Sequence, residues 1–201
     1  MAVIGITGGI GCGKSTFTRM LAEILDAPLF DTDAAAKQLL DTDPEVRELV
    51  TREVLATAYG PNGKADRPAL RKLVFSDPAA KARLEGILHP RVRARWKLEA
   101  GQSRGHFLVE IPLLFETGAQ ALFNHIVTVA CSEKTQIHRI SARGLADSDA
   151  LAIIRSQLAL ARKVELAHFV VWNDGSLENL RQQALEFAAR IRPGNQPADH
   201  T

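Results

Sequence analysis

Eight residues in, the chain runs Gly8-Gly9-Ile10-Gly11-Cys12-Gly13-Lys14-Ser15-Thr16. From Gly8 this reads G-x-x-x-x-G-K-S, a phosphate-binding loop, and such a loop requires a strand to deliver it and a helix to leave it. Both are present. Val3, Ile4 and Ile6 form a short β-branched run of the kind that makes a buried parallel strand. Phe17, Met20, Leu21, Ile24 and Leu25 fall at i, i+3, i+4, i+7 and i+8, one apolar face of a helix.

Each residue type has a physical task. Gly8, Gly11 and Gly13 permit backbone angles and close approaches that a Cβ would block. Consecutive N–H groups then turn into the loop, and the helix N-terminus adds partial positive charge. Lys14 reaches the β- and γ-phosphates, and the Ser15 hydroxyl is the candidate ligand of Mg²⁺. Gly9, Gly11, Cys12, Gly13, Lys14, Ser15 and Thr16 are therefore the candidate nucleotide-binding residues, and a nucleoside triphosphate is the expected ligand.

Composition bounds the rest. With 201 residues, 46% hydrophobic and 24% charged, the chain reads as a soluble α/β domain with helical insertions. The 25 basic and 23 acidic side chains leave a net charge of +2, which argues for neither a nucleic-acid nor an acidic membrane partner. Cys12 and Cys131 are too few for a disulfide framework and lack metal-ligand spacing; oxidation of Cys12, inside the loop, is expected to inhibit. No run approaches the roughly 20 apolar residues of a membrane span, and Met1 leads straight into a strand, so a cytoplasmic location is expected.

In chain order, residues 27–30 predict a second strand ending in Asp31-Thr32-Asp33, and 34–40 a helix. Asp43-Pro44-Glu45, Asp66-Arg67-Pro68 and Ser76-Asp77-Pro78 each read as a helix start. His89-Pro90 interrupts the helix begun at Pro78, and Tyr59 to Gly63 is a loop. Strands follow at 106–111, 126–130 and 169–172, with a helix over 132–142 stopped by Gly144, a long helix from Asp147, and a last helix capped by Ser176. Residues 193–201 read as a disordered tail. The pattern predicts a five-stranded parallel sheet with helices on both faces, of P-loop NTPase type. About three helices intervene between the second and third strands, which suggests a substrate-binding insertion near 34–103.

Ligands of an open parallel sheet bind at the carboxyl ends of its strands. Asp31, Asp33 and Glu110 arrive there. Asp33 is the first candidate for the base that accepts a hydroxyl proton; the bland alternative is that Asp31 and Asp33 only cap the next helix. Glu110 is the rival base, or holds the water of the metal. Arg139 and Arg143, at i and i+4, are candidate catalytic cations before a polar turn where a lid over about 144–166 would pivot. Arg155, Arg162 and Lys163 read as solvated helix surface. Trp96 and Trp172 read as packing residues, the histidines as structural or exposed, and Asn173 as a neighbour of the nucleotide base.

At this point the chain resembles the dephospho-coenzyme A kinase family over nearly its whole length. The opening Ile6 to Thr16, Asp31-x-Asp33, Asp66-Arg67-x-x-Leu70-Arg71, Leu84-Glu85-x-Ile87, His89-Pro90, Pro112-Leu113-Leu114-Phe115-Glu116, and Gln157, Lys163 and Asn173-x-Gly175-Ser176 carry the resemblance. It implies a nucleotide-binding core, a helical coenzyme-binding insertion and a lid. The implied reaction is ATP-dependent phosphorylation of the ribose 3′-hydroxyl of dephospho-coenzyme A, with Asp33 as base, Asp33, Lys37, His89, Leu113 and Glu116 at the acceptor, and a monomer or weak oligomer as the working form. Cys12 stands where the family usually has serine, and Lys37 where an arginine commonly stands; lysine lacks the fork for a bidentate phosphate contact. His168 replaces a frequent aspartate.

Other classes fit less well. A regulatory GTPase needs an Asn-Lys-x-Asp segment, and Asn173-Asp174-Gly175-Ser176 is not one. A nucleic-acid-stimulated ATPase needs a basic, aromatic stripe. A kinase of another small hydroxyl-bearing metabolite is the nearest alternative, since the loop, the D-x-D and the arginines serve it equally.

Overall fold

The computed structural model describes residues 1–142, 144 and 146–191, without the side chains of Asp147 and Ser148. Arg143 and the expected tail lie outside the described residues. Five strands, β1 (Val3–Gly8), β2 (Leu29–Asp31), β3 (Phe107–Glu110), β4 (His125–Ala130) and β5 (Phe169–Trp172), form one parallel sheet in the order β2-β3-β1-β4-β5. The register sets Ile6 beside Glu110 and Gly8 beside Val129, so the loop after β1 emerges between the ends of β3 and β4.

The helices are α1 (Lys14–Leu25), α2 (Thr32–Thr42), α3 (Pro44–Glu53), α4 (Arg67–Ser76), α5 (Pro78–Gln102), α6 (Glu133–Ser141), α7 (Asp147–Arg155), α8 (Leu160–Leu166) and α9 (Leu177–Arg190). The chain divides into two compact units, residues 31–102 and the remainder. In the remainder, Ile4, Ile6, Leu108, Val127, Val129 and Val171 of the sheet pack with Phe17 and Leu21 of α1 and Leu180, Ala184 and Phe187 of α9. Burial of one such large side chain contributes about 1.5–3 kcal/mol, so these apolar stripes fix which faces of α1 and α9 meet the strands. The unit 31–102 has its own core of Leu40, Val46, Val50, Ala58, Leu70, Ile87 and Leu88. Its helices begin where the sequence predicts: Asp43 Oδ1 accepts the Val46 N–H and Asp66 Oδ1 the Ala69 N–H, with Pro44 and Pro68 in the first turns.

Five expectations change. Four helices, α2 to α5, rather than about three, separate β2 from β3. Helix α5 runs unbroken through Pro90. Burial of Ile87 and Leu88 before the proline and of Val92 and Trp96 after it outweighs the missing N–H, and Arg91 Nη1 donates to the Ile87 carbonyl beside the gap. The long helix from Asp147 is instead α7 and α8, separated at 156–159, because residues of that break are used in contacts with other loops described below. Lys163 is fully buried rather than solvated. Trp172, at the outer end of edge strand β5, is 52% exposed, because alternation turns Val171 into the core instead. No described helix is long and apolar enough to cross a membrane.

Candidate active site

The phosphate-binding loop is gripped from outside by side chains. Gln136 Nε2 of α6 donates to the Ile10 carbonyl at 2.7 Å, and Asn173 Nδ2, just past β5, to the Cys12 carbonyl at 2.8 Å. Arg139 Nη1 makes a longer 3.4 Å bond to the Gly11 carbonyl. Across a trans peptide the next N–H points opposite to the carbonyl, so these contacts turn the Gly11 and Gly13 N–H groups away from Gln136 and Asn173. Gln157, in the break between α7 and α8, accepts the Ile10 N–H at 3.3 Å.

Two of the glycines are required by these braces. A Cβ on Gly9 would sit 2.5 Å from Gln136 Nε2. A Cβ on Gly13 would sit 2.3 Å from Asn173 Nδ2, and Gly13 also adopts φ +84°, a left-handed angle that side chains resist. Gly13 is the N-cap of α1, and no side-chain oxygen caps that helix among the described residues, whereas α2, α3, α4, α6 and α9 are capped by Asp31, Asp43, Asp66, Ser132 and Ser176. The first amides of α1 are left to an anion.

Behind the loop, the Lys14 ammonium pairs with Glu110 Oε1, and the Ser15 hydroxyl donates to the same oxygen at 2.6 Å. Glu110 is buried at the end of β3. A hydroxyl and a carboxylate this close are hard oxygen donors suited to Mg²⁺, with Lys14 beside them for phosphate charge. Next to the loop lies a cleft of about 470 Å³ whose lining includes Gly13, Thr16, His138, Arg139, Asn173 and Gly175. Thr16, Arg139 and Asn173 thus share one wall with the glycines. Asn173 therefore also holds the loop backbone, a task beyond the base contact expected of it. Asp174 accepts from Ser132 N at 2.9 Å and from Ser132 Oγ at 2.9 Å, and hydrogen bonds from Thr135 and Ser132 hold its carboxyl below the usual range.

The two aspartates after β2 are distinct. Asp31 Oδ1 accepts the N–H groups of Asp33 and Ala34 at 2.9 and 3.0 Å and is the cap of α2. Asp33 is exposed in the first turn of that helix, with Lys37, also exposed, one turn on. His89 is partly buried on α5, and desolvation lowers its pKa. Leu113 and Glu116 lie in the turns after β3, in the other unit.

The sequence profile of the dephospho-CoA kinase family matches residues 2–179. A dephospho-CoA kinase of Thiobacillus denitrificans is 40% identical over 186 residues, 91% of this chain and 92% of that protein. One of Chlorobaculum tepidum is 38% identical over 189 residues, 90% of each chain. This chain belongs to the dephospho-CoA kinase family. The structure of the Campylobacter jejuni dephospho-CoA kinase superposes with a TM-score of 0.70 at 31% identity, covering 96% of this chain and 98% of that one. A shikimate kinase of Acinetobacter baumannii, 16% identical with a TM-score of 0.55, shares the fold, and covers 96% of each chain.

Within this dephospho-CoA kinase family chain, sequence reading missed Gln136 and, although Lys163 carries part of the resemblance, took that lysine for solvated surface. Gln136 is 3% exposed and lies four residues before the buried Ile140 on one stripe of α6. Lys163 donates to the Pro112 carbonyl at 3.0 Å and to Glu116 Oε1 at 2.8 Å, while Glu116 Oε1 also accepts the Leu158 N–H. A polar residue at apolar-face spacing was the available signal for both. His168, whose substitution had no reading, accepts the Ile126 N–H on Nδ1 at 3.2 Å.

Proposed function

We propose that this enzyme transfers the γ-phosphoryl group of ATP to the ribose 3′-hydroxyl of dephospho-coenzyme A, giving coenzyme A. The observation that carries the reading is the loop itself: amides turned inward by Gln136 and Asn173, with Lys14, Ser15 and Glu110 clustered behind it. The polyphosphate lies along the loop and the first turn of α1, and Lys14 leaves Glu110 to meet its charge. Ser15 would hold Mg²⁺, with Glu110 placed to orient its water, and the ion would supply positive charge to the phosphates. The base enters the cleft beside Asn173, Thr16 and Arg139.

Asp33 accepts the hydroxyl proton. Asp31 caps α2, and Asp33, exposed in the first turn of that helix, is the carboxylate of the D-x-D pair to which the family resemblance gives the task. Arg139, with Arg143, supplies charge to the transferring group. Residues 34–103 bind the coenzyme, with Lys37 and His89 contributing from that insertion and Leu113 and Glu116 from the turns after β3; about 144–166 forms the lid that excludes water. The enzyme works in the cytoplasm as a monomer or weak oligomer.

The test offers the purified protein ATP-Mg²⁺ with dephospho-coenzyme A, adenosine or shikimate and follows ADP release. Dephospho-coenzyme A should raise turnover far above the acceptor-free rate and the others should not. Equal rates with all three, or turnover with shikimate alone, overturn the assignment.

A further inference from the structure

The chain has two cysteines, 119 positions apart, and the fold brings them into contact. Cys12 lies in the phosphate-binding loop and Cys131 directly after β4; their sulfurs are 3.4 Å apart, and both side chains are buried. Neither thiol has a task in the phosphoryl-transfer scheme, in which position 12 takes part through its backbone. We propose that Cys12 and Cys131 form an oxidation site, converted by a small hydroperoxide to a disulfide that disables the loop.

The atoms balance as follows. The Cys12 sulfur attacks one peroxide oxygen, the O–O bond breaks, and the thiol proton leaves with the second oxygen as water. Cys12 is then a sulfenic acid. The Cys131 sulfur attacks that sulfur, the S–O bond breaks, and the hydroxyl takes the Cys131 proton to leave as a second water. Two thiols and one hydroperoxide give one disulfide and, for hydrogen peroxide, two waters.

Local electrostatics assign the roles. The Cys131 S–H donates to Cys12, and Arg139 lies nearby, so the Cys12 thiol is acidified while the Cys131 thiol is pushed up. Cys12 is thus the attacking group and Cys131 the resolving one. Burial of both sulfurs keeps out bulky disulfide reagents, which is why the oxidant must be small.

The consequence for the loop is steric. A disulfide needs a sulfur separation of about 2.05 Å, so the pair must close by more than an ångström. The Cys12 carbonyl is held by Asn173, its N–H by the Gly9 carbonyl at 3.2 Å, and a Cβ on Gly9 would lie 3.0 Å from Cys12 Sγ. Nothing in that packing moves alone, so closing the bond shifts the loop amides. Displacements of about an ångström at a phosphate-binding ring lower rates by orders of magnitude. A serine at position 12 could not form this bond.

The inference rests on the loop binding nucleotide, and two readouts separate the claims. Reduced protein is treated with hydrogen peroxide, quenched, and measured by intact mass, non-reducing peptide mapping and ADP binding. The expected product is about 2 Da lighter, links the Cys12 and Cys131 peptides, binds ADP at least tenfold more weakly, and recovers in dithiothreitol. Cys131→Ser and Cys131→Ala keep the basal activity, form no linked peptide, and after peroxide carry added oxygen on Cys12. A treated protein that gains oxygen without linking, or that links yet binds ADP as before, overturns the proposal. Failure of the untreated protein to bind ADP would instead count against the nucleotide-site reading.

Discussion

Asp31 Oδ1 accepts the backbone N–H of Asp33 at 2.9 Å, so one aspartate of the D-x-D pair builds the helix on which the other stands. The two substitutions therefore separate stability from chemistry. Asp31→Ala removes the cap of α2 and should cost about 1 kcal/mol of stability, read in urea unfolding. Asp33→Asn keeps the cap and should lower turnover by a factor on the order of 10² or more, with ATP affinity little changed. An active Asp33→Asn alongside a dead Glu110→Gln would exchange the roles given to these carboxylates.

Glu110 joins Lys14 to Ser15 through a single oxygen. Glu110→Gln keeps the shape but removes the charge that both groups share. Its defect should concentrate on the metal: the Mg²⁺ concentration for half-maximal rate should rise about tenfold, and added Mg²⁺ should restore part of the turnover. Lys14→Ala should lose transition-state charge stabilisation that no metal concentration restores. Steady-state titrations of Mg²⁺ at saturating ATP distinguish the two patterns.

Gln136 gives a third test, because its amide both braces Ile10 and fills the space a Cβ on Gly9 would take. Gln136→Met retains the length and drops the donor. The KM for ATP should rise about tenfold while that for the acceptor stays within about twofold. Gly9→Ala should also weaken ATP, and the double variant Gly9→Ala/Gln136→Ala should be less impaired than the two single effects combined, since shortening residue 136 removes the clash. Strict additivity would mean that the contact does not set the loop.

How much of this was legible from residues alone differs by element. The strand–loop–helix at the N-terminus was readable because every part is local: β-branched run, glycine spacing, period of α1. The caps at Asp43, Asp66 and Ser176 were readable for the same reason. Pro90 misled, since its local cost is overruled by buried neighbours on both sides in α5. The break at 156–159 was invisible, because no glycine or proline marks it and its causes lie far along the chain: Gln157 on Ile10, and Leu158 on Glu116. Gln136 was missed, and the burial of Lys163 misread, by the same limit. Both matter for partners more than forty positions away.

Acidification should weaken the fold. Desolvation lowers the pKa of His89, His106 and His125, and His106 Nδ1 is buried without a hydrogen-bond partner among the described residues. The unfolded chain takes up these protons near the ordinary value of about 6.5, whereas the folded chain resists them. Stability is therefore complete above that value and falls as pH drops through it towards the lowered folded values. The thermal midpoint should be flat between about pH 7 and 8 and lower at pH 5.5. His106→Gln and His125→Gln should each reduce that drop, and a midpoint that rises on acidification would contradict the burial of these rings.

Lys163 closes a different circuit. Its ammonium is fully buried between the Pro112 carbonyl and Glu116, and the same Glu116 oxygen takes the Leu158 N–H. The Thr7 hydroxyl also donates to Pro112, so the turn after β3 is tied to both β1 and α8. Removing one partner of such a pair leaves the other charge uncompensated; because Glu116 keeps 22% of its side-chain surface, the cost of Lys163→Met should be about 2–3 kcal/mol. Lys163→Met/Glu116→Gln should recover part of that loss, since the second change removes the stranded charge. Chemical denaturation of the three proteins gives the coupling directly. If the double variant is less stable than Lys163→Met alone, the carboxylate is held by the Leu158 amide rather than by the lysine, and the tie from α8 to the turn runs through the backbone.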